Sequence, residues 1–447
     1  MADEQLHVTW ARSDRFVPRA FVSPLLRFAQ IEASSGLVLV VAAAAALVWA
    51  NLFPDSYAQV FTTPFLLEFG PFQLEEDFQH LINDGLMAIF FFVVGMEIKR
   101  ELVAGELADP RKAALPAFGA LGGMIGPALI YILIAGTVGE AGRGWGIPMA
   151  TDIAFAVGVI SLLGRRVPDG AKLFLLTLAI ADDIGAIVVI AIFYTADLNM
   201  LWLGVAVAGL LITWGANRVR IRSLTFYLPV AFVVWFATLE SGVHATLAGV
   251  ALGLLTPARP FYALTEFHRA SRQLIGRIER EDDDVIERQR ADHQLLTLSD
   301  MARESVAPLA RIEHRIGVWS SYAIVPLFAL ANAGINLSGI SIGEAVTSPV
   351  GLGVALGLIL GKLVGITLFT LVALRTRLGR LPTGMTNHHL VGVSLLAAIG
   401  FTVALFIVGL AFSDQVLVAE AKVGIFAASI LAGILGYGVL RLVPPKR

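Results

Sequence analysis

Two adjacent carboxylates, Asp182 and Asp183, stand in the middle of LFLLTLAIADDIGAIVVIAIFYT, an apolar stretch long enough to cross a bilayer. An ionisable side chain near the bilayer centre costs roughly 2.5–3.5 kcal/mol on insertion scales, so its presence there asks for a function. Adjacent helical positions point about 100° apart, so one carboxylate can face a cavity while its neighbour faces another helix. A carboxylate in a low-dielectric, like-charged setting takes up a proton more readily than one in water. It is also a hard oxygen ligand, suited to a small hard cation. Such a group holds a proton or a cation, never both at once, and that is the chemistry of exchange.

Three more ionisable residues lie in apolar stretches. Lys362, in GVALGLILGKLVGITLFTLV, needs an anion at its own depth or must shed its proton. Pairing with one of the membrane aspartates is the cheapest arrangement; snorkelling to the interface is the alternative. Asp152, in GIPMATDIAFAVGVISLLG, follows Pro148 and Thr151, so this run reads as an interrupted helix. Thr151 taken alone is also compatible with a helical threonine bonded back to its own chain. Asp84, in LINDGLMAIFFFVVG, sits near the end of its stretch, within reach of water. A second run is blemished at Gly400-Phe401-Thr402. Interrupted helices are tolerated at membrane depth only beside a cavity or a buried site. Their ends point partial charges at the break, and a nearby aspartate and lysine would offset both signs.

The elements that must position these residues are membrane helices. The chain of 447 residues is 57% hydrophobic and only 15% charged, against roughly 25% charged in soluble proteins. Lipid is therefore its solvent. There are no cysteines, which excludes disulfides, thiolate metal sites and iron–sulfur clusters. Residues 1–30 carry scattered charges and no apolar core, so no signal peptide is expected. Apolar patterning predicts twelve spans, at about 35–53, 81–98, 114–137, 148–164, 173–195, 200–216, 224–238, 243–256, 317–335, 350–374, 388–411 and 420–440. With the N-terminus inside, Lys and Arg collect in the inside segments, and the outside ones hold only Arg143 and Lys422. That alternation fits an even span count and both termini in the cytoplasm.

The expected fold is thus an all-α polytopic membrane protein. Residues 1–34 form a cytoplasmic N-terminal segment, 35–443 the transmembrane domain, and 444–447 a cytoplasmic tail. The third to fifth spans begin inside and the tenth to twelfth begin outside, so these triplets are inverted repeats, each with its interrupted helix in the middle. The loop 54–80 has β-rich runs flanking Gly70-Pro71 and predicts a small extracytoplasmic β-hairpin. A hairpin is marginal alone in water, which favours a homodimer paired through this loop; a loop lying on the membrane is the other reading. The charged insert 258–316, with RIEREDDDVIERQR, suits a solvated helix or a disordered linker and is given no chemistry. Glu97, Lys99, Arg100 and Glu101 in GMEIKREL, His244 in SGVHATLAG, and Glu313-His314 lie near span ends, as interfacial anchors or as sensors.

These motifs resemble the NhaA-type sodium/proton antiporter family. The match runs in order through NDGLMAIFFFVVGMEIKREL, ATDIAFAVGV, ADDIGAIVVIAIFYT, SGVHATLAGV, PLFALANAG, GKLVGITLF and AIGFT, within residues 20–443. The resemblance implies inverted repeats with discontinuous helices and electrogenic exchange of cytoplasmic Na+ or Li+ for external H+, driven by the proton gradient, for sodium extrusion and pH homeostasis. It places such a protein in the bacterial inner membrane. It implies that Asp183 is the direct Na+ ligand, with Thr151 and Asp152 nearby, and that Asp182 pairs with Lys362 and takes part in proton transfer. Glu97, Lys99, Arg100, Glu101, His244 and Glu313 would match the family's pH-sensing set. The chain departs from the pattern in its insert around 265–305 and in Gly317, where a second histidine often stands.

Two other functions are open on the residues alone. An intramembrane aspartyl protease also uses two membrane aspartates, but on separate helices, and leaves the lysine unexplained. A proton-coupled symporter for an organic solute calls for a larger polar pocket than these few residues build. No enzyme activity, no cofactor beyond the transported Na+, Li+ and H+, and no nucleic-acid partner is expected; membrane lipid is.

Overall fold

The computed structural model describes residues 34–69, 72–195, 198–221, 223–278, 285–336 and 341–443. The segments expected at 1–34 and 444–447 lie outside them except for Ser34, as do Gly70-Pro71 and the acidic run of the insert at 279–284. Among the described residues, eight helices are long and apolar enough to cross a membrane, and a ninth span arises if one helix pair bent by 47° is counted together. The chain divides into two compact units, one comprising Met1–Met87, Glu106–Asp197 and Ser320–Arg447, the other Ala88–Gly105 and Leu198–Trp319.

The first unit begins with α1 (Ser34–Leu52) and the short α2 (Pro54–Thr62). Strands β1 (Pro64–Phe69) and β2 (Phe72–Asp77) pair antiparallel, with Pro64 opposite Asp77 and Phe69 opposite Phe72. Helix α3 (Phe78–Ala104) follows, with a π turn at Leu81–Leu86 that carries Asp84. Next are α4 (Pro110–Ala135), a 3-10 helix at Ala141–Met149, α5 (Ile153–Ser161) and α6 (Asp169–Phe193).

The C-terminal part of this unit holds α13, α14, α15, α16, α17 and α18. They span Val325–Asn332, Ile342–Thr347, Pro349–Arg375, Asn387–Leu396, Phe401–Ala411 and Gln415–Leu442. Helix α15 contains a π turn at Gly357–Gly361, immediately before Lys362. In lipid, helices associate by close backbone packing at small residues rather than by water exclusion. Helices α4 and α15 do so: a Cβ on Gly126 would lie 2.5 Å from the Gly361 carbonyl oxygen, and one on Gly361 would lie 2.5 Å from Pro127 Cα. This contact brings Lys362 deep against α4, which in turn packs on α6.

The second unit contains the later part of α3, then α7 (Met200–Arg218), α8 (Leu224–Glu240) and α9 (Thr246–Leu255). Asn217 ties them together: its Nδ2 donates to the Leu255 carbonyl at 2.8 Å, and its Oδ1 accepts from the Tyr227 hydroxyl at 2.7 Å. The insert contains two helices, α10 (Leu264–Ile278) and α11 (Val285–Glu304), which pack on each other. Their base is closed by backbone bonds from Phe261 N to Glu304 O at 2.9 Å and from Leu309 N to Pro257 O at 3.1 Å. Helix α12 (Pro308–Trp319) is the last element of this unit.

Candidate ion-binding site

Two interrupted helices cross at the site. After the 3-10 helix, Ala150 and Asp152 adopt extended backbone, and α5 starts at Ile153. Helix α16 stops at Leu396 and α17 starts at Phe401, the pair bent by 47°. The crossing needs glycine at position 400: a Cβ there would lie 2.8 Å from Leu358 Cδ2 and 3.0 Å from the Ala150 carbonyl. The gaps are joined directly, Asp152 N donating to Ile399 O at 2.6 Å.

Asp152 settles the positive ends of both half-helices. Its Oδ1 accepts from Phe155 N at 3.0 Å, capping α5. Its Oδ2 accepts from Thr402 N at 3.1 Å and from the Thr402 hydroxyl at 2.7 Å. One carboxylate thus satisfies orphan N–H groups at two helix N-termini, where a negative charge is favoured. Both oxygens are engaged, so Asp152 holds the crossing together.

Thr151 faces the other way. Its hydroxyl oxygen lies 2.7 Å from Asp182 Oδ2 and 2.8 Å from the Ala397 carbonyl, and its single proton serves both. Lys362 Nζ donates to the Thr151 hydroxyl at 3.0 Å and forms an ion pair with Asp182 Oδ2. Lys362 is 0% exposed and Asp182 2%. The second oxygen of that carboxylate, Asp182 Oδ1, is buried with no hydrogen-bond partner among the described residues. Asp183, also buried, lies close enough to Lys362 to act on its charge. The structure therefore gathers Thr151, Asp182 and Lys362 into one hydrogen-bonded group with Asp183 beside it. The hard oxygen donors here are carboxylates, a hydroxyl and backbone carbonyls, chemistry suited to a proton or a small cation.

Three of the interfacial residues also come together. Arg100 forms an ion pair with Glu313 and lies 3.7 Å from Glu97 Oε1. Lys99 and Glu101 sit on the same turns of α3, and His244 precedes α9. Thr402 was missed as a site residue. The break at AIGFT marked its place, but its partner Asp152 lies 250 positions away.

The sequence profile of the family described as Na+/H+ antiporter 1 matches residues 26–440. The chain is 45% identical to the Na(+)/H(+) antiporter NhaA of Koribacter versatilis over 432 residues, covering 96% of this chain and 94% of that protein. It is 44% identical over 426 residues to the Na(+)/H(+) antiporter NhaA of Oleidesulfovibrio alaskensis, with 94% of each chain covered. The corresponding protein of Rhodospirillum rubrum is 44% identical over 424 residues, 94% of this chain and 97% of that one. With a helix crossing, a buried Lys–Asp pair and similarity across nearly its whole length, the chain belongs to the Na+/H+ antiporter 1 family, as a transporter rather than an enzyme.

Proposed function

We propose that this antiporter exchanges cytoplasmic Na+ (or Li+) for external H+ electrogenically, driven by the proton gradient, and so expels sodium and adjusts internal pH. The observation that carries this reading is the half-satisfied carboxylate: Asp182 is paired with Lys362 through Oδ2 while Oδ1 is buried without a hydrogen-bond partner among the described residues. Asp183 is the Na+ ligand, with Asp182 and Thr151 supplying further oxygens. Asp152 supports the site through the crossing.

Charge balance gives the stoichiometric direction. With Na+ on Asp183 and Lys362 paired to Asp182, the four charges cancel. With both carboxylates protonated and Lys362 charged, the site is positive. Crossing with bare carboxylates would carry the insertion penalty of each. The two legs therefore differ in charge, and more than one proton exchanges per Na+.

The supporting architecture is twelve crossings with both termini in the cytoplasm of a bacterial inner membrane. The shorter apolar helices α8, α9 and the α12–α13 run complete the count beyond those long enough on their own. Helices α4 to α6 and α15 to α18 form the inverted repeats. The strands β1 and β2 lie outside and pair two copies as a homodimer, which native mass measurement would reveal. Glu97, Lys99, Arg100, Glu101, His244 and Glu313 form the pH-responsive region, for which the Arg100 bridge is the structural support. The test is proton flux in energised vesicles on adding Na+, Li+ or K+. Release of protons by Na+ and Li+ is expected; equal response to all three cations, or none, refutes the assignment.

A further inference from the structure

Helix α10 is amphipathic. Leu264, Phe267, Ala270, Leu274 and Ile275 recur at three- and four-residue spacing and make one face, while Glu266, Arg269 and Gln273 lie opposite. Packing leaves that face half covered. Phe267, Ala270 and Leu274 are half-buried, whereas Leu264 is 68% exposed and Ile275 45%. At 100° per residue, these two lie on the edge of the apolar face nearest Arg272.

The position of the helix supplies the second observation. The base of the α10–α11 hairpin is fastened at Pro257 and Phe261, a few residues beyond the end of the apolar helix α9 at Leu255. The exposed Phe261 ring lies under the guanidinium of Arg220, 5.5 Å from its centroid, and Arg218 ends α7 beside it in sequence. Exposed apolar side chains and arginines are thus collected where apolar helices stop.

We infer that α10 docks on the anionic lipid of the cytoplasmic leaflet, with Leu264 and Ile275 in the headgroup–acyl boundary and Arg272 beside them against lipid phosphates. Amphipathic helices with arginine on the polar side bind such interfaces through buried apolar area plus attraction to anionic lipid. Tethering to α9 and α12 makes the contact intramolecular in effect, so few side chains suffice. The leaflet named rests on the topology proposed above, in which 258–316 is cytoplasmic.

The chain has no cysteine, so Leu264→Cys, Ile275→Cys and Gln273→Cys each carry one fluorescent label on the full-length protein. The variants are reconstituted into vesicles of phosphatidylcholine, with or without phosphatidylglycerol, and retained exchange shows that they are folded. In anionic vesicles, labels at 264 and 275 should be shielded from an aqueous quencher and reached by a lipid-borne one, with the label at 273 behaving oppositely. Arg272→Gln should shift the docked-to-undocked ratio by about fivefold, whereas Arg269→Gln, on the side turned from the lipid, should change it little. Equal aqueous access at all three positions overturns the proposal. So does shielding that ignores lipid charge and grows with protein-to-lipid ratio, which assigns the face to a second copy. In intact cells, reaction of Gln273→Cys with an impermeant maleimide from outside overturns the cytoplasmic placement, while the quenching data judge docking independently.

Discussion

Lys362 Nζ and Asp182 Oδ2 form a buried ion pair, and Thr151 joins both partners through one hydroxyl. Removing one member of a buried pair leaves the other charged and unpaired, which typically costs 3–5 kcal/mol. Lys362→Ala should therefore lower thermal stability in detergent markedly and move the pH dependence of exchange. Lys362→Arg keeps the charge and should be milder. An alanine variant with unchanged melting temperature and pH profile would show that the pair does not do this work.

Asp183→Asn keeps the shape of the side chain but cannot bind a proton reversibly. Because Asp183 stands beside the ion pair rather than within it, the variant should fold, insert and melt like the parent while losing Na+-dependent proton flux. Near-normal flux in everted vesicles would remove Asp183 from the ion site.

Thr402→Val tests the crossing. The hydroxyl that donates to Asp152 Oδ2 at 2.7 Å disappears, while the backbone donor at 3.1 Å stays. A hydrogen bond to a charged group contributes about 1.5–3 kcal/mol. The expected result is reduced stability and a lower apparent Na+ affinity, read from melting curves and isothermal titration. Wild-type values in both would mean that the crossing does not depend on this bond.

Competition between Na+ and H+ fixes the sign of the pH dependence. Acidification fills the Asp182 and Asp183 carboxylates with protons, so apparent Na+ affinity should fall as pH falls while the maximal rate at saturating Na+ changes little. A separate proton gate at the Glu97–Arg100–Glu313 group would instead suppress the maximal rate and spare the affinity. Solid-supported-membrane currents over a Na+ series at several pH values separate the two outcomes, and a pH-independent affinity contradicts a shared site.

The charges at the heart of the site were legible in the sequence, because an aspartate or lysine within an apolar stretch is conspicuous before any partner is known. Asp152, Asp182, Asp183 and Lys362 all stood out that way, and Pro148 and Gly400 marked the helix breaks. Their partners were not legible from the residues themselves. Lys362 had three aspartates to choose from, and the close approach at Gly126 and Gly361 carries it against α4, where it meets Asp182. Asp152 was conspicuous at its helix break, but its partners Phe155 and Thr402, the latter 250 positions away, were not. The insert read equally as helix or linker, and its two paired helices emerge only once the chain closes at Phe261 and Glu304. Sequence periodicity reports which side of a helix avoids water, and in lipid that side is almost the whole helix. Which groups meet across it is decided by where backbones can approach, and that is a property of the tertiary packing alone.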